Sequence, residues 1–354
     1  MTETMKAIRH VGYHTFPELK QVPKPSPGPN EVLLKVAGSG ACHSDVAIFN
    51  EFDEGMLPVL DPEYTLGHEI SGWVEEVGAG VTGLEKGEAY LVYGPTGCGR
   101  CDWCAKGAET YCRHPEEAGA SAMGLGRDGG MAEYVLVPAR NLVPLGDVDP
   151  IAASALADAG LTPYHAIKTA LPSLDGGGKF ALVIGLGGLG LMGVQILKAL
   201  TGATIIATDS KEDALREAEN LGALTVPGGE GQAEAILQLT GGRGVDAAFD
   251  FVGVSATVDL ALHSATPGSR VVIVGLGNGS PSSWSFLSVP YEAHLYSTYW
   301  GSRDELFELV AMLRNGQVAP KYTTYPLEDG LEAYRLLMEG KVSGRAVIVP
   351  HGGR

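Results

Sequence analysis

The rhythm of apolar positions changes near residue 150. Before it, short stretches rich in β-branched and aromatic residues are cut by Gly and Pro: EVLLKVAGSGAC (31–42), EISGWVEEVGAGV (69–81), EAYLVYGP (88–95) and MAEYVLVPARNLVPL (131–145). Bounded runs of this kind predict short strands, hence a small barrel-like β domain with few helices. After it, DPIAASALADAGLTPYHAIKTAL (149–171) reads as helix, and a regular alternation follows. KFALVIGL (179–186) leads into the helical GGLGLMGVQILKALTG (187–202), TIIATDS (204–210) into KEDALREAENLGA (211–223), and VDAAFDFVG (245–253) and SRVVIVGLG (269–277) are further strands. Strands that are apolar throughout, alternating with helices, predict a parallel, doubly wound sheet. RDELFELVAMLRNGQVAP (303–320) has the period of an amphipathic helix, and the segment 322–350 reads as helix plus strand.

Composition agrees with two domains. A chain of 354 residues with 45% hydrophobic content exceeds the size at which one core usually stops growing. The formal net charge of −17 disfavours nucleic acid and anionic membrane as partners, since both call for a basic face. No apolar run reaches the roughly 18 residues that span a bilayer, and MTETMKAIRHVGYH at the N-terminus has no signal-peptide core. A cytoplasmic location is therefore expected, and there closely spaced cysteines are read as metal ligands before disulfides.

Two motifs carry chemistry. VIGLGGLG (183–190) places Gly185, Gly187 and Gly190 in G-x-G-x-x-G spacing after a buried strand and at the start of a helix, with Gly188 and Leu189 inside the same turn. Gly185 permits the tight turn, Gly187 lets the backbone approach a pyrophosphate, and Gly190 lets helix and strand pack closely. Asp209 ends the next strand, where a carboxylate bonds the adenosine ribose hydroxyls and repels a 2′-phosphate. Lys211 is the only cation of the turn TDSKED, so NAD is expected rather than NADP. The second motif is GCGRCDWCAKGAETYC (97–112), with Cys98, Cys101, Cys104 and Cys112 in C-x2-C-x2-C-x7-C spacing. Four thiolates this close can enclose Zn²⁺ and leave it no open position, which makes the site structural. Catalytic zinc needs about three protein ligands and a free fourth place. Cys42 in GACHSD and His68 in TLGHEISG are candidates, neither compelling alone.

In its motifs CHSD (42–45), GHE (67–69), the four-cysteine loop, LADAGLTPYHA (156–166), GLGGLG (185–190), FDFVG (249–253) and SGRAVIVP (343–350), taken in order, the chain resembles the zinc-dependent medium-chain alcohol dehydrogenases. Within that family it is most similar to bacterial NAD-dependent secondary alcohol dehydrogenases and aryl ketone or aldehyde reductases. The resemblance implies a two-domain α/β fold: a GroES-like β-barrel catalytic domain (1–155), a Rossmann NAD-binding domain (156–300), and a return to the catalytic domain (301–354). It implies two zinc ions per chain, the catalytic one held by Cys42, His68 and Asp158, with Glu69 a possible transient ligand and Asp45 orienting His68. Ser44 is then the hydrogen-bonding partner of the substrate oxygen and the first link of a proton relay. Many relatives end that relay at a His where this chain has Ala47; His43 either substitutes or contacts the pyrophosphate. Arg345 corresponds to an arginine that bonds the pyrophosphate, and Thr162, Val252, Val274, Gly275 and Leu276 border the cofactor.

An apolar pocket for an alcohol, ketone or aldehyde is expected from Ile48, Phe49, Phe52, Met123, Leu125, Tyr299 and Trp300. The Gly-rich stretch 116–130, where subgroup relatives tend to be Pro-rich, is expected to be mobile. Aromatic lining favours secondary, bulky or aryl alcohols; the alternatives are a polyol or other aldehyde dehydrogenase of the superfamily and, more remotely, a non-catalytic nucleotide-binding zinc protein. WSFLSVPYEAHLYSTYW (284–300) is expected to include a sheet-edge strand through which a homodimer, or a homotetramer of two dimers, forms.

Overall fold

The computed structural model describes residues 3–119 and 122–352. Its strands, in chain order, are β1 (Thr4–His10), β2 (Glu18–Pro23), β3 (Glu31–Ala41), β4 (Tyr64–Thr65), β5 (Glu69–Val77), β6 (Ala89–Val92), β7 (Tyr134–Pro138), β8 (Leu142–Pro144), β9 (Phe180–Ile184), β10 (Thr204–Asp209), β11 (Leu224–Pro227), β12 (Val245–Asp250), β13 (Ala265–Ile273), β14 (His294–Ser297), β15 (Tyr322–Pro326) and β16 (Arg345–Val349). The chain divides into two compact units, one of residues 1–159, 302–314 and 320–354, the other of residues 160–301 and 315–319. The boundary falls four residues beyond the one expected at 155, which keeps Asp158 with the β-rich unit.

The first unit holds a sheet in the order β15-β16-β3-β5-β6-β8, with β7 also pairing with β3, and a smaller sheet in the order β2-β1-β4. Val32, Leu34, Val36, Ile70, Val74, Val92, Val135 and Val137 form its core, the inward positions of alternating strands. β3 runs antiparallel to both β5 and β16, so three strand ends lie side by side: Gly40 opposite Glu69 and Ala41 opposite Ala346. That register positions the site described below.

The second unit is a parallel sheet in the order β11-β10-β9-β12-β13-β14. The chain builds outward from β9 to β11, then returns beside β9 and builds the other way. The strand order therefore reverses between β9 and β12, where ligands of open α/β sheets bind. Strands β9 and β12 are almost wholly buried, as their unbroken apolar runs require.

The helix expected over 149–171 is interrupted. Helical residues Pro150–Ser154 pass into a 3-10 turn, Ala155–Ala157, and Asp158 leaves helical geometry at φ −134°, ψ −58° before the helix Leu161–Leu174 begins. Gly-rich residues 122–130 are not loose, although Ala120 and Ser121 of that stretch lie outside the described residues. Gly129, Gly130 and Met131 donate their N–H groups to Thr65, Gly67 and Leu66, and a Cβ on Gly129 would sit 2.2 Å from the Gly67 carbonyl oxygen. The glycines here allow close backbone approach.

Candidate active site

Cys42 follows directly on β3 and caps the helix His43–Asn50; Asp45, three residues on, accepts the Cys42 N–H through Oδ2 at 3.0 Å. His68 and Glu69 stand at the start of β5, opposite the end of β3. Asp158 enters from the broken helix, and the next residue, Ala159, donates its N–H to Glu69 Oε1 at 3.0 Å. Asp158 Oδ2 thus lies 3.4 Å from Cys42 Sγ and 3.6 Å from His68 Nε2. Donor atoms of Cys42, His68, Glu69 and Asp158 all fall within 4.8 Å of one another, and all four residues are buried.

This donor set fits zinc. Bonds of 2.0–2.3 Å in a tetrahedron place ligand atoms roughly 3.3–3.8 Å apart, the spacing found between Asp158 and its two neighbours. His68 Nδ1 bonds Asp45 Oδ1 at 3.0 Å, which leaves Nε2 to face Cys42 and Asp158. Burial opposes a charge on the imidazole, but Asp45 and Asp158 outweigh it and raise its proton affinity well above the ordinary histidine value. Burial also pushes the Glu69 carboxyl up, to about 7, against the pull of Arg345. Three acidic or thiol groups beside one imidazole form a cavity lined with donors for a cation.

Arg345 does not stand at a solvent front. It is 4% exposed, with Nη2 2.5 Å from Glu69 Oε1 and 3.6 Å from Asp158 Oδ2, and Nη1 3.4 Å from the Ala41 carbonyl. The reason is its place as the first residue of β16, next to the end of β3. Ser44 is partly exposed, with Oγ 3.6 Å from Cys42 Sγ, and His43 is exposed.

Two contributors carry no sequence signal. A Cβ on Gly40 would lie 1.7 Å from Glu69 Oε2, so the carboxylate occupies space only a glycine vacates. Tyr334, fully buried on the helix Gly330–Met338, donates its hydroxyl to Asp45 Oδ2 at 3.1 Å from 289 residues away. Phe49 and Met123, both expected at the pocket, are buried among core residues. Phe49 stands edge-on to Phe16 and Tyr334, because it lies on the buried face of its helix, and Met123 packs among the sheet residues of the first unit. Ile48 and Leu125 are buried too, and Phe52 is half-buried; in the second unit Trp300 is buried and Tyr299 is 47% exposed.

The four-cysteine loop forms a second cluster, with Sγ–Sγ distances of 4.0 Å for Cys98–Cys104 and for Cys101–Cys112. Cys112 Sγ accepts N–H groups from Cys98 and His114 at 3.3 Å each. Backbone N–H groups of Arg113 and Cys104 hold the Cys101 thiol down to about 6, favouring the thiolate a metal needs. Burial raises Cys104 to about 12, and a metal must displace that proton. The lobe is anchored by Arg140, which donates to the Cys104 carbonyl at 3.0 Å and pairs with the buried Glu109.

In the second unit Gly185 follows β9 at φ +85°, a left-handed conformation that favours glycine. A Cβ on Gly190 would lie 1.8 Å from the Gly185 carbonyl oxygen, so the helix Gly188–Leu200 packs on the turn through bare backbone. Asp209, ending β10, accepts N–H groups from Leu186 at 2.7 Å and Lys211 at 2.9 Å, which holds its carboxylate against the glycine turn. Beyond β12 and β13, Gly275 passes so close to Val252 that a Cβ would lie 2.2 Å from the Val252 carbonyl carbon. Val252 and Leu276 are exposed at this C-terminal edge, with Val274 beside them. Thr162 lies in the first turn of the helix Leu161–Leu174 and is buried.

A buried group of thiol, imidazole and carboxylate donors able to hold a metal on a β unit, and a glycine turn at the switch point of a parallel sheet, match the parts of a zinc- and dinucleotide-dependent dehydrogenase. Comparison with known proteins gives the same class. Residues 28–147 match the alcohol dehydrogenase GroES-like domain and residues 188–315 the zinc-binding dehydrogenase domain. An NAD-dependent alcohol dehydrogenase of Sulfurisphaera tokodaii is 35% identical over 98% of this chain and 100% of its own length. The alcohol dehydrogenase structure from Aeropyrum pernix superposes with a TM-score of 0.90 at 35% identity, covering 98% and 100% of the two chains. Acetophenone reductase from Geotrichum candidum, solved with NAD, gives 0.84 at 32% identity, covering 99% and 98%.

The chain belongs to the zinc-dependent medium-chain alcohol dehydrogenase family. Its fold is the GroES-like plus Rossmann pair, its cofactors are zinc and NAD, and its activity class is the oxidation of alcohols. No helix among the described residues is long and apolar enough to cross a membrane.

Proposed function

We propose that Cys42, His68 and Asp158 hold the catalytic zinc, with Glu69 as a transient ligand, and that Cys98, Cys101, Cys104 and Cys112 hold a structural one. The observation that carries this reading is the convergence of thiol, imidazole and carboxylate donors within 4.8 Å, with His68 already tied through Nδ1 to Asp45. When bound, zinc supplies a Lewis acid for the substrate oxygen and NAD accepts or returns the hydride. Ser44 Oγ, partly exposed and 3.6 Å from Cys42 Sγ, takes the alcohol proton and passes it outward. Ala47 cannot carry that proton, and His43, exposed at the first position of the same helix, can. Asp209 selects NAD by bonding the ribose hydroxyls and repelling a 2′-phosphate, within the glycine turn of Gly185, Gly187, Gly188, Leu189 and Gly190.

The substrates in this reading are secondary alcohols and their ketones, bulky and aryl ones included, together with aldehydes. Support comes from the likeness to an acetophenone reductase. A homodimer or homotetramer is part of the same proposal: β14 is an edge strand, and Trp284, Phe286, Leu287 and Tyr291 before it are 58–86% exposed. Cysteines grouped to hold metal suit the reducing cytoplasm. Metal analysis together with kinetics tests the reading. Two zinc per chain, and higher kcat/KM for 2-alkanols and acetophenone-derived alcohols than for sorbitol, are expected. One zinc per chain removes the catalytic site proposed here, and a preference for the polyol overturns the substrate class.

A further inference from the structure

Asp45 is 0% exposed, and His68, Cys42 and Tyr334 donate to its carboxylate. Oδ1 receives His68 Nδ1 at 3.0 Å; Oδ2 receives the Cys42 N–H at 3.0 Å and the Tyr334 hydroxyl at 3.1 Å. A buried carboxylate is held in place only as far as its lone pairs are answered, and water cannot substitute in a dry site. The first two donors come from residues that are themselves at the metal cluster. The third of these donors, Tyr334, comes from outside it, from the helix Gly330–Met338 contributed by the C-terminal segment. Its ring stands edge-on to Phe49, with centroids 5.6 Å apart, which sets where the hydroxyl oxygen lies.

We propose that Tyr334 is a positioning residue for the catalytic metal: by completing the hydrogen-bond shell of Asp45 it fixes the carboxylate that sets the tautomer and aim of His68 Nε2. This rests on the reading of Cys42, His68 and Asp158 as the catalytic ligands. Outer partners of metal-bound histidines typically account for about 10- to 100-fold in metal affinity. Tyr334 stands one hydrogen bond further out, so the low end of that range applies. Phe at 334 keeps the ring and its packing and deletes only the donor.

The test uses the full-length protein. Tyr334→Phe is loaded with zinc, and loss of each metal to an excess of dipicolinate is timed, the zinc of the four-cysteine loop serving as a control in the same molecule. Expected is release of one zinc about tenfold faster than in the native protein, with the other unchanged. With Co²⁺ at the catalytic site, the visible d–d bands should shift in the variant. In an Asp45→Ala background, replacing Tyr334 by Phe should add nothing further, because the acceptor through which it acts is gone. Unchanged release and unchanged bands overturn the proposal, and so does equal acceleration at both metals, the mark of a generally loosened fold. A native protein that holds only the zinc of the four-cysteine loop overturns the catalytic-site reading itself, and this proposal with it.

Discussion

Arg345 and Glu69, 276 residues apart, meet with Nη2 2.5 Å from Oε1 at a place where neither is more than 5% exposed. The pair exists because β16 and β5 flank the end of β3. Breaking a buried pair leaves one charge uncompensated, which typically costs about 3–5 kcal/mol. Arg345→Leu should therefore lose about 3 kcal/mol in denaturant unfolding, and Glu69→Gln should recover part of that loss in the double variant. Strictly additive losses would show that the two side chains are not coupled.

In the proposed zinc site Asp158 is the carboxylate ligand, its Oδ2 lying 3.4 Å from Cys42 Sγ and 3.6 Å from His68 Nε2. Asp158→Ala should lower the zinc content by one per chain and reduce turnover by more than the roughly 10- to 100-fold typical of an outer partner. Retention of two zinc ions by the purified variant would falsify its role as a ligand.

Four thiolates of the Cys98–Cys112 lobe would fill the coordination sphere of the proposed structural zinc and leave no open place for substrate. Cys101→Ser should cost about 3 kcal/mol or more, as loss of a structural metal does, and should lower the melting temperature before it alters the ratio of kcat/KM between two alcohols. A stable variant with lost turnover alone would assign the cluster to chemistry.

Asp209 points at the glycine turn through Leu186. Asp209→Ser should weaken NAD by about tenfold, the loss of a charge-assisted hydrogen bond of roughly 1.5 kcal/mol, and raise the relative use of NADP. Cofactor kinetics that leave the NADP/NAD ratio unchanged contradict the role.

Gly40 makes room for Glu69, with only 1.7 Å between Oε2 and the place a Cβ at residue 40 would take. Gly40→Ala should displace the carboxylate and cost about 1–3 kcal/mol, as overpacking does. If Glu69→Ala is introduced first, the same change at Gly40 should cost clearly less in thermal unfolding, with only the 3.0 Å approach to the Cβ of residue 69 remaining.

What is local in the chain was legible without coordinates. Apolar runs of periods two and 3.6 mark the strands and helices, the four cysteines lie within fifteen residues of one another, and the glycines of the cofactor turn follow a strand directly. Cys42, His68 and Asp158 came together only through likeness to a family, since no spacing links residues 26 and 116 positions apart. Tertiary structure decided the rest, because register between strands far apart in sequence has no local code. It broke the helix at Asp158 so that the carboxylate reaches Cys42. It drew Arg345 to Glu69, turned the Gly-rich 122–130 into packed backbone, and took Phe49 and Met123 into the core. It also put the Tyr334 hydroxyl on Asp45, a contact that depends on a helix packing across 289 residues of intervening chain.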